Sequence, residues 1–376
     1  MAVTVNEYIT TAELDFLNEA VPAGTEVRNQ GEATLLEQWD TPALNMAMRK
    51  MESPSAGEFV GGGISYLVTP PRSQRMEFYD GLQKLTFKFD ANVSRCRFYA
   101  GKGHYGDMLP VDFLERLGLK LKLSDEIRPG GLKSLGAEKT GVLINHLKTN
   151  WMKMQLGYKT DLACRFWSPN TDAPKAWTGF FGMFSQTSAS TGNHGGQPKS
   201  NPLFRHQLIT GITGDTAEDS FMRLELALMD ATTGEGGSNR ICFCGSEVFF
   251  MLATLFLGNR TTKGIIDRTW STEQAQMRKG SLKIGIPMDS FVTTTGTLIV
   301  RDPIFKYLDR LENPAVKYEK TFAIIDWNHL EFLSGRHMEY LDRGMPIDQM
   351  VKFSSLLGSY VLGSDKPTSI AVGTLA

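Results

Sequence analysis

The alternation of apolar and polar positions changes period several times along the chain, and each change marks a different element. From about Ala137 to Phe166, the residues Ile144, Leu147, Trp151, Met154, Tyr158, Leu162 and Phe166 recur at spacings of three and four, which lays one apolar stripe along an α-helix. About 30 residues at 1.5 Å per residue give ~45 Å, roughly the width of a compact domain of this size. That length predicts a spine helix. Gly157 falls inside it and is expected to weaken or bend it locally, but the periodicity continues beyond, so a single helix is predicted.

Period two dominates earlier. After three glycines at 61 to 63, the stretch through Ala100 contains LTFKFD and CRFYA, which alternate like strands, with turns at Asp80-Gly81 and Asp90-Ala91-Asn92; a long, partly exposed β-hairpin is predicted. Residues 1 to 60 show only short apolar patches (Leu14, Phe16, Leu17; Leu35, Leu36, Trp39) broken by turns and no sustained period, as expected for an arm or peripheral layer. Residues 168 to 214 are rich in Ser, Thr, Asn, Pro and Gly and read as a long loop region joining two bodies.

The period then returns to helical. Ala217, Phe221, Leu224 and Leu228 share one face, predicting a helix over 217 to 230 that starts at Thr216 with acidic residues in its first turn. RICFC follows as a short buried strand, and FFMLATLFLG, capped by Ser246, as a buried helix. GIIDRTW, SLKIGIPM, FVTTTGTLIVRD and FAIIDWNHLEFLSG read as strands of a second mixed α/β body, and the tail from Met350 has strand character that returns it to pack on earlier elements.

Composition narrows the function classes. The 376 residues carry 40 Lys+Arg against 41 Asp+Glu, enough length for two or more domains and a sizeable core. Near-neutrality argues against a dedicated free nucleic-acid binder. The balance is uneven: residues 1 to 60 hold three basic and ten acidic residues, a formal charge of -7, whereas 61 to 100 hold Arg72, Arg75, Lys84, Lys88, Arg95 and Arg97 against Glu77, Asp80 and Asp90, a charge of +3. An acidic arm and a basic hairpin are suited to pair between neighbouring subunits; two ordinary solvated surfaces are the alternative. Four cysteines, Cys96, Cys164, Cys242 and Cys244, fit a reducing compartment. The N-terminal residues carry no basic leader, and the longest apolar run, at 249 to 257, is far shorter than a bilayer span, so neither secretion nor membrane insertion is expected.

Candidate chemistry is sparse. Gly101-Lys102-Gly103-His104-Tyr105-Gly106 matches G-x-G-x-x-G, but Pro110 and a short apolar segment follow where a dinucleotide fold needs a helix, so a hinge at the base of the hairpin is the expectation. Cys242 and Cys244 sit two apart on a buried strand without a second ligand pair and are read as packed thiols. The histidines His104, His146, His194, His206, His329 and His337 are scattered; the HGG at His194 resembles an oxyanion segment only superficially, for want of a nucleophile elbow. Asp326 at a strand end, with His329 three positions on, is either a catalytic carboxylate or an ordinary turn residue. Asn92 and Asn259 begin Asn-x-Ser/Thr matches without the secretory context that would make them acceptors. No catalytic, cofactor-binding or metal-binding residue is assigned, and no cofactor is expected.

The order of these segments resembles the major capsid protein of tailed bacteriophages. The acidic segment at 1 to 60 looks like that family's N-arm, the GGGISYLVT to CRFYAG hairpin at 61 to 103 like its extended E-loop, and the helix at about 137 to 166 like the spine of its peripheral domain, here 104 to 180 and completed by later strands. GFFGMFSQTSASTGNHGG is similar to the segment leading into the axial domain, mainly 181 to 345, and TAEDSFMRLELALMDATTGEGGSNRICFCGSEVFFMLATLF to the helix, turn, strand and helix of that domain. SFVTTTGTLIVRDPIF with FAIIDWNHLEFLSG is similar to a strand pair and strand-end Asp of one subgroup, and 346 to 376 is a strand segment returning to the body.

The resemblance implies an α+β, HK97-like capsid fold and a non-enzymatic protein of the virion. Such a protein assembles in the bacterial host cytoplasm, from hexamers and pentamers of itself, into an icosahedral shell around double-stranded DNA. It further implies a separate scaffolding protein, a portal, cement proteins in some relatives, non-specific contact with packaged DNA and no membrane. In relatives that cross-link, an E-loop Lys is joined to an Asn of a neighbour; Lys84 and Lys88 match that location alone. A tail or sheath component, or an α/β enzyme with its site in 168 to 214 or near Asp326, are the alternatives.

Overall fold

The computed structural model describes residues 41–51, 62–68, 94–110, 137–172, 175–232, 239–261, 290–293, 296–344 and 351–376. In chain order their elements are α1 (Pro42–Met51), β1 (Gly63–Val68), β2 (Ser94–Tyr99), β3 (Gly101–Pro110), α2 (Ala137–Trp167) and the single turn α3 (Phe180–Met183). Then come β4 (Asn193–His194), β5 (Gln197–Pro198), β6 (Gln207–Ile212), α4 (Ala217–Ala231), β7 (Arg240–Cys244), α5 (Ser246–Thr261), β8 (Ser290–Val292) and β9 (Leu298–Arg301). The chain closes with α6 (Ile304–Glu312), β10 (Thr321–Asp326), β11 (Leu330–Gly344), β12 (Val351–Ser364) and β13 (Ile370–Leu375). The chain divides into two units. One takes in Lys102–Ala163 and Arg336–Ser359; the other takes in Thr41–Gly101, Cys164–Gly335 and Tyr360–Ala376.

The first unit carries most of the spine. The helix α2 is 31 residues long, about 46 Å, and it buries Met154, Tyr158 and Leu162, three members of the stripe read from the sequence. It runs unbroken through Gly157, where a bend was expected. A Cβ at that position would collide with the ring of Tyr105, so the glycine makes room for a side chain from β3. That strand joins β11 and β12 in a three-stranded sheet of order β11-β12-β3. The G-x-G-x-x-G stretch therefore lies inside a strand. The expectation of a hinge at Gly101 to Gly106 is corrected: Lys102 to Gly106 are exposed and extended, and at Gly101 a Cβ would meet the backbone of Ala176 and Trp177, a close approach that calls for glycine in a strand.

The second unit is built on a six-stranded mixed sheet of order β6-β13-β10-β7-β9-β8. Its centre is fully buried, with all six residues of β10 inaccessible, because both faces are covered. On one face, Cys242 and Cys244 of β7 and Phe322 and Ile324 of β10 pack under α4 and α5 through Phe221, Leu224, Leu228, Val248 and Leu252. On the other, Phe243 meets Trp167 and Trp327 at 5.9 Å between ring centres. Trp167 stands in turn against Phe180, Phe181 and Phe305. The continuous apolar runs of RICFC and FAIID are the sequence signature of a strand covered on both sides. The tail does return: β13 pairs antiparallel with β10 and parallel with the edge strand β6, which puts the last residues inside the sheet, one strand from its edge.

Three local readings differ from the structure. Residues 168 to 214 are more than a loop region: α3, the β4–β5 ribbon and the edge strand β6 interrupt them, and Phe180, Phe181, Met183, Phe184 and Phe204 are buried. Aromatics without periodicity hid this packing. Within 1 to 60, where no period was found, α1 is a helix with Ala43, Leu44 and Ala47 buried; its stripe is made of small residues. Thr216 precedes α4, as read, but its side chain turns back. Thr213 N donates to Thr216 Oγ1 at 3.2 Å, closing a capping box around the single turn Gly214–Thr216. Predicted strands between 264 and 289, the hairpin tip and residues 1 to 40 lie outside the described residues.

Two polar anchors hold the end of the spine. Asn170, at φ 57°, is a residue type that tolerates the left-handed region. Its Nδ2 donates to the carbonyls of Arg165 and Trp177 at 2.8 and 2.9 Å, satisfying a last-turn acceptor. Asp302, only 1% exposed, accepts Trp167 Nε1–H at 3.2 Å and Ile304 N–H at 3.1 Å, so one carboxylate ties the helix end to the start of α6.

Candidate functional site at the root of the hairpin

The strands β1 and β2 pair antiparallel from Gly63↔Tyr99 to Val68↔Ser94, which is the base of the hairpin expected from the sequence. Alternation sorts the side chains. Ile64, Tyr66, Cys96 and Phe98 point inward and are buried, while Leu67, Arg95, Arg97 and Tyr99 are exposed. Leu67 and Tyr99 are 68% and 74% accessible, an unusual setting for large apolar groups on one ribbon. The turn signals, Lys84 and Lys88 lie in 69–93, outside the described residues.

The root is locked by the TGNHGGQ segment. β4 and β5 form a minimal ribbon joined by Gly195 and Gly196, at φ 56° and 86°; two consecutive positive φ values suit a type I′ hairpin turn and favour glycine. The turn also needs a bare backbone, since a Cβ on Gly195 would meet Cys96 Cβ at 2.7 Å. This close approach lets Arg97 N–H donate to Gly195 O at 2.9 Å, and Gln197 Nε2 donate to Arg95 O at 3.0 Å. The glycine pair in HGG is therefore a turn that seats the ribbon on β2.

Beneath the ribbon lies a buried polar layer. His194 is 1% exposed and sits edge-on to Phe98, ring centres 5.1 Å apart, with its Nε2 3.0 Å from Ser364 O at the end of β12. His206, 2% exposed, places Nε2 2.9 Å from Ser185 O. Phe184 touches both rings. Lys199 is also buried, and its Nζ donates to Met183 O. Desolvation by burial pulls both histidines down to about 4 and lowers Lys199 as well. Tyr66 OH donates to Glu331 Oε2 at 2.8 Å, and burial together with the Glu331 charge raises the phenol far above its usual range. Gly363 leaves space for the rings of Phe98 and Tyr66, both 3.1 Å from where its Cβ would stand.

The other sequence candidates fall apart spatially or become packing groups. Asp326 is buried at its strand end, where Oδ1 accepts Asn328 N–H at 3.0 Å, a turn role. His329 Nδ1 is 3.1 Å from Asp365 Oδ1, so the hydrogen-bond partner of that histidine is Asp365. Cys242 and Cys244 point into the core under α4 and α5, and burial pushes the Cys242 thiol well up; Cys96 rises to about 11 for the same reason. His104 is exposed on β3. His146 and His337 belong to α2 and β11, and Asn259 to α5; Asn92 lies outside the described residues. Among the described residues, no three His, Cys, Asp or Glu side chains are grouped to hold a metal ion. No helix among them is long and apolar enough to cross a membrane. Sequence reasoning missed Lys199 and the shared packing of His194 and His206 against Phe184; the cue was three basic residues spaced through a glycine-rich stretch that also carries aromatics.

No family model and no curated protein matches the chain. Solved structures do. The capsid asymmetric unit of cyanophage A-1(L) superposes with a TM-score of 0.50 at 11% identity, covering 94% of this chain and 95% of that one. The chain has the HK97-like capsid fold. Similar to it at lower scores are the capsid of Myoviridae phage XM1, TM-score 0.47 and 6% identity over 88% of this chain and 92% of that one, and the capsid of an empty GTA particle. The last has a TM-score of 0.45 and 11% identity over 88% and 96% of the two chains. In the terms of this fold, α2 corresponds to the long spine helix and β1 and β2 to the root of the extended hairpin.

Proposed function

We propose that the chain is the major capsid protein of a tailed phage, and that copies of it build the icosahedral shell enclosing double-stranded DNA. The observation that carries this reading is the fold match, which spans nearly the whole of both chains. Physical features of the subunit agree with it. Leu67 and Tyr99 on the hairpin, Leu226 and Phe250 on α4 and α5, and Leu311 on α6 are all more than half exposed, and apolar groups of this size gain free energy when a neighbour covers them. Hairpins and arms enlarge contact area without enlarging the core, and many modest contacts act together in a closed assembly.

In this reading the acidic segment at 1 to 60 is the N-arm and 61 to 103 the hairpin. The peripheral domain runs over 104 to 180, the axial domain over 181 to 345, and 346 to 376 is the returning strand segment. The partners are hexamers and pentamers of the chain itself, a separate scaffolding protein, a portal and cement proteins, and packaged DNA is met without sequence readout. The site is the virion, after assembly in the host cytoplasm. The function is mechanical rather than catalytic.

Charge supplies a first test. Replacing Glu7, Glu13, Asp15 and Glu19 by their amides removes four of the ten acidic residues in 1 to 60. Sedimentation velocity should show a shifted distribution of assemblies, with the melting midpoint of the subunit unchanged. Unaltered assembly with a large melting shift would refute an intersubunit role for the arm.

A further inference from the structure

We infer that the β4–β5 ribbon is an acid-released latch: protonation of His194 and His206 opens it and frees the root of the hairpin. The argument begins with tautomers. Each Nε2 faces a carbonyl oxygen, Ser364 O for His194 and Ser185 O for His206, so Nε2 carries the ring proton in both, and Nδ1 is the basic nitrogen. Both Nδ1 atoms are buried, with no hydrogen-bond partner among the described residues. A second proton therefore creates an N–H without an acceptor and a charge without solvent, the combination that buried sites tolerate least.

The surroundings deepen the penalty. Lys199 acts on both rings as a repelling cation, and each added charge also opposes the other histidine. Phe98 and Phe184 wall the site with aromatic carbon, and Cys96, beside Gly195, contributes a neutral thiol. Asp365 is the acidic group whose field favours a charged His194. Its Oδ1 is already engaged by His329 Nδ1, and its side chain is 43% exposed, so solvent weakens its pull. Ser185 Oγ already accepts from Thr187 N–H and Ser188 N–H, and the buried Ser364 Oγ is hydrogen-bonded to neither ring.

Opening is the cheap way to relieve this strain. The ribbon is held to β2 by the Arg97 N–H to Gly195 O and Gln197 Nε2–H to Arg95 O bonds, and closed on itself by Lys199 N–H to Gly192 O at 3.1 Å. Histidines held near 4 when closed and released to the ordinary 6.5 when open bind more protons in the open form. The latch is thus fully closed above about pH 6.5 and weakens as pH falls toward 4, by up to about tenfold per pH unit for each histidine. The consequence is confined to the hairpin root, because the six-stranded sheet has its own core.

Hydrogen exchange of the full-length chain at pH 7 and pH 5, corrected for intrinsic rates, tests the latch. Protection in 94–99 and 192–199 should fall by more than about tenfold at pH 5, while β10 (Thr321–Asp326) holds. The double variant His194→Gln with His206→Gln, which keeps a side-chain donor for each carbonyl, should lose that pH dependence. Unchanged protection in 192–199, or an equal fall in the variant, overturns the proposal. If the variant does not fold, NMR titration of the native histidines decides: midpoints well below 6.5 for both support the latch, and a midpoint at or above 6.5 for either removes it.

Discussion

At the scale of single residues, the fold depends on a few buried positions where one atom more or fewer is felt. Gly373 of β13 stands opposite Phe322 of β10, and a Cβ there would be driven into the Phe322 ring. Gly373→Ala should therefore destabilise the subunit by about 1–3 kcal/mol through overpacking, seen as a lower denaturant midpoint with unchanged slope. Asp302→Ala removes the acceptor for both Trp167 Nε1–H and Ile304 N–H; a loss of about 2–3 kcal/mol is expected. Asp302→Asn, which keeps one acceptor oxygen, should recover part of it. Neither effect was legible in the sequence, because Gly373 and Phe322 are 51 positions apart and Asp302 sits in a segment where only strand character was visible. The same holds for Lys199, whose burial no local pattern announces.

At the scale of elements, what the sequence showed was whatever had a period. The stripe from Met154 to Phe166, the alternation in CRFYA and the apolar runs of RICFC and FAIID correspond to α2, β2, β7 and β10, at boundaries close to those observed. What it hid had no period. The aromatics at 180 to 184 pack irregularly, α1 turns a face of alanines inward, and the glycines at 101 to 106 mimic a phosphate loop while lying in β3. The ribbon at 193 to 198 was noticed for the wrong chemistry, since HGG marks a turn geometry as readily as an oxyanion segment. The root of the hairpin buries Ile64, Tyr66, Cys96 and Phe98, so it belongs to the body of the second unit. Exchanging residues 69–93 for a short Gly-Ser linker should leave the melting midpoint of the subunit within a few degrees of the parent while abolishing assembly, as followed by circular dichroism and light scattering. Particles that still form after this exchange would refute the proposed role of the hairpin in joining subunits.

At the scale of the whole molecule, near-neutral charge conceals an acidic first segment and a basic hairpin. The described surface also leaves large apolar side chains uncovered on several elements. In the proposed closed assembly of many copies, neighbouring subunits would cover these surfaces. The proposed function rests on the fold shared with the cyanophage A-1(L) capsid chain, and the uncovered apolar groups agree with it. A tail or sheath component would use the same kind of uncovered surface to extend into tubes, and an oligomeric enzyme would cover it in a small closed oligomer. Negative-stain electron microscopy of the purified chain, alone and with the proposed scaffolding protein, discriminates among these most directly. Hexamers, pentamers or closed shells are the predicted result; open tubes, or a stable monomer under every assembly condition, would contradict it.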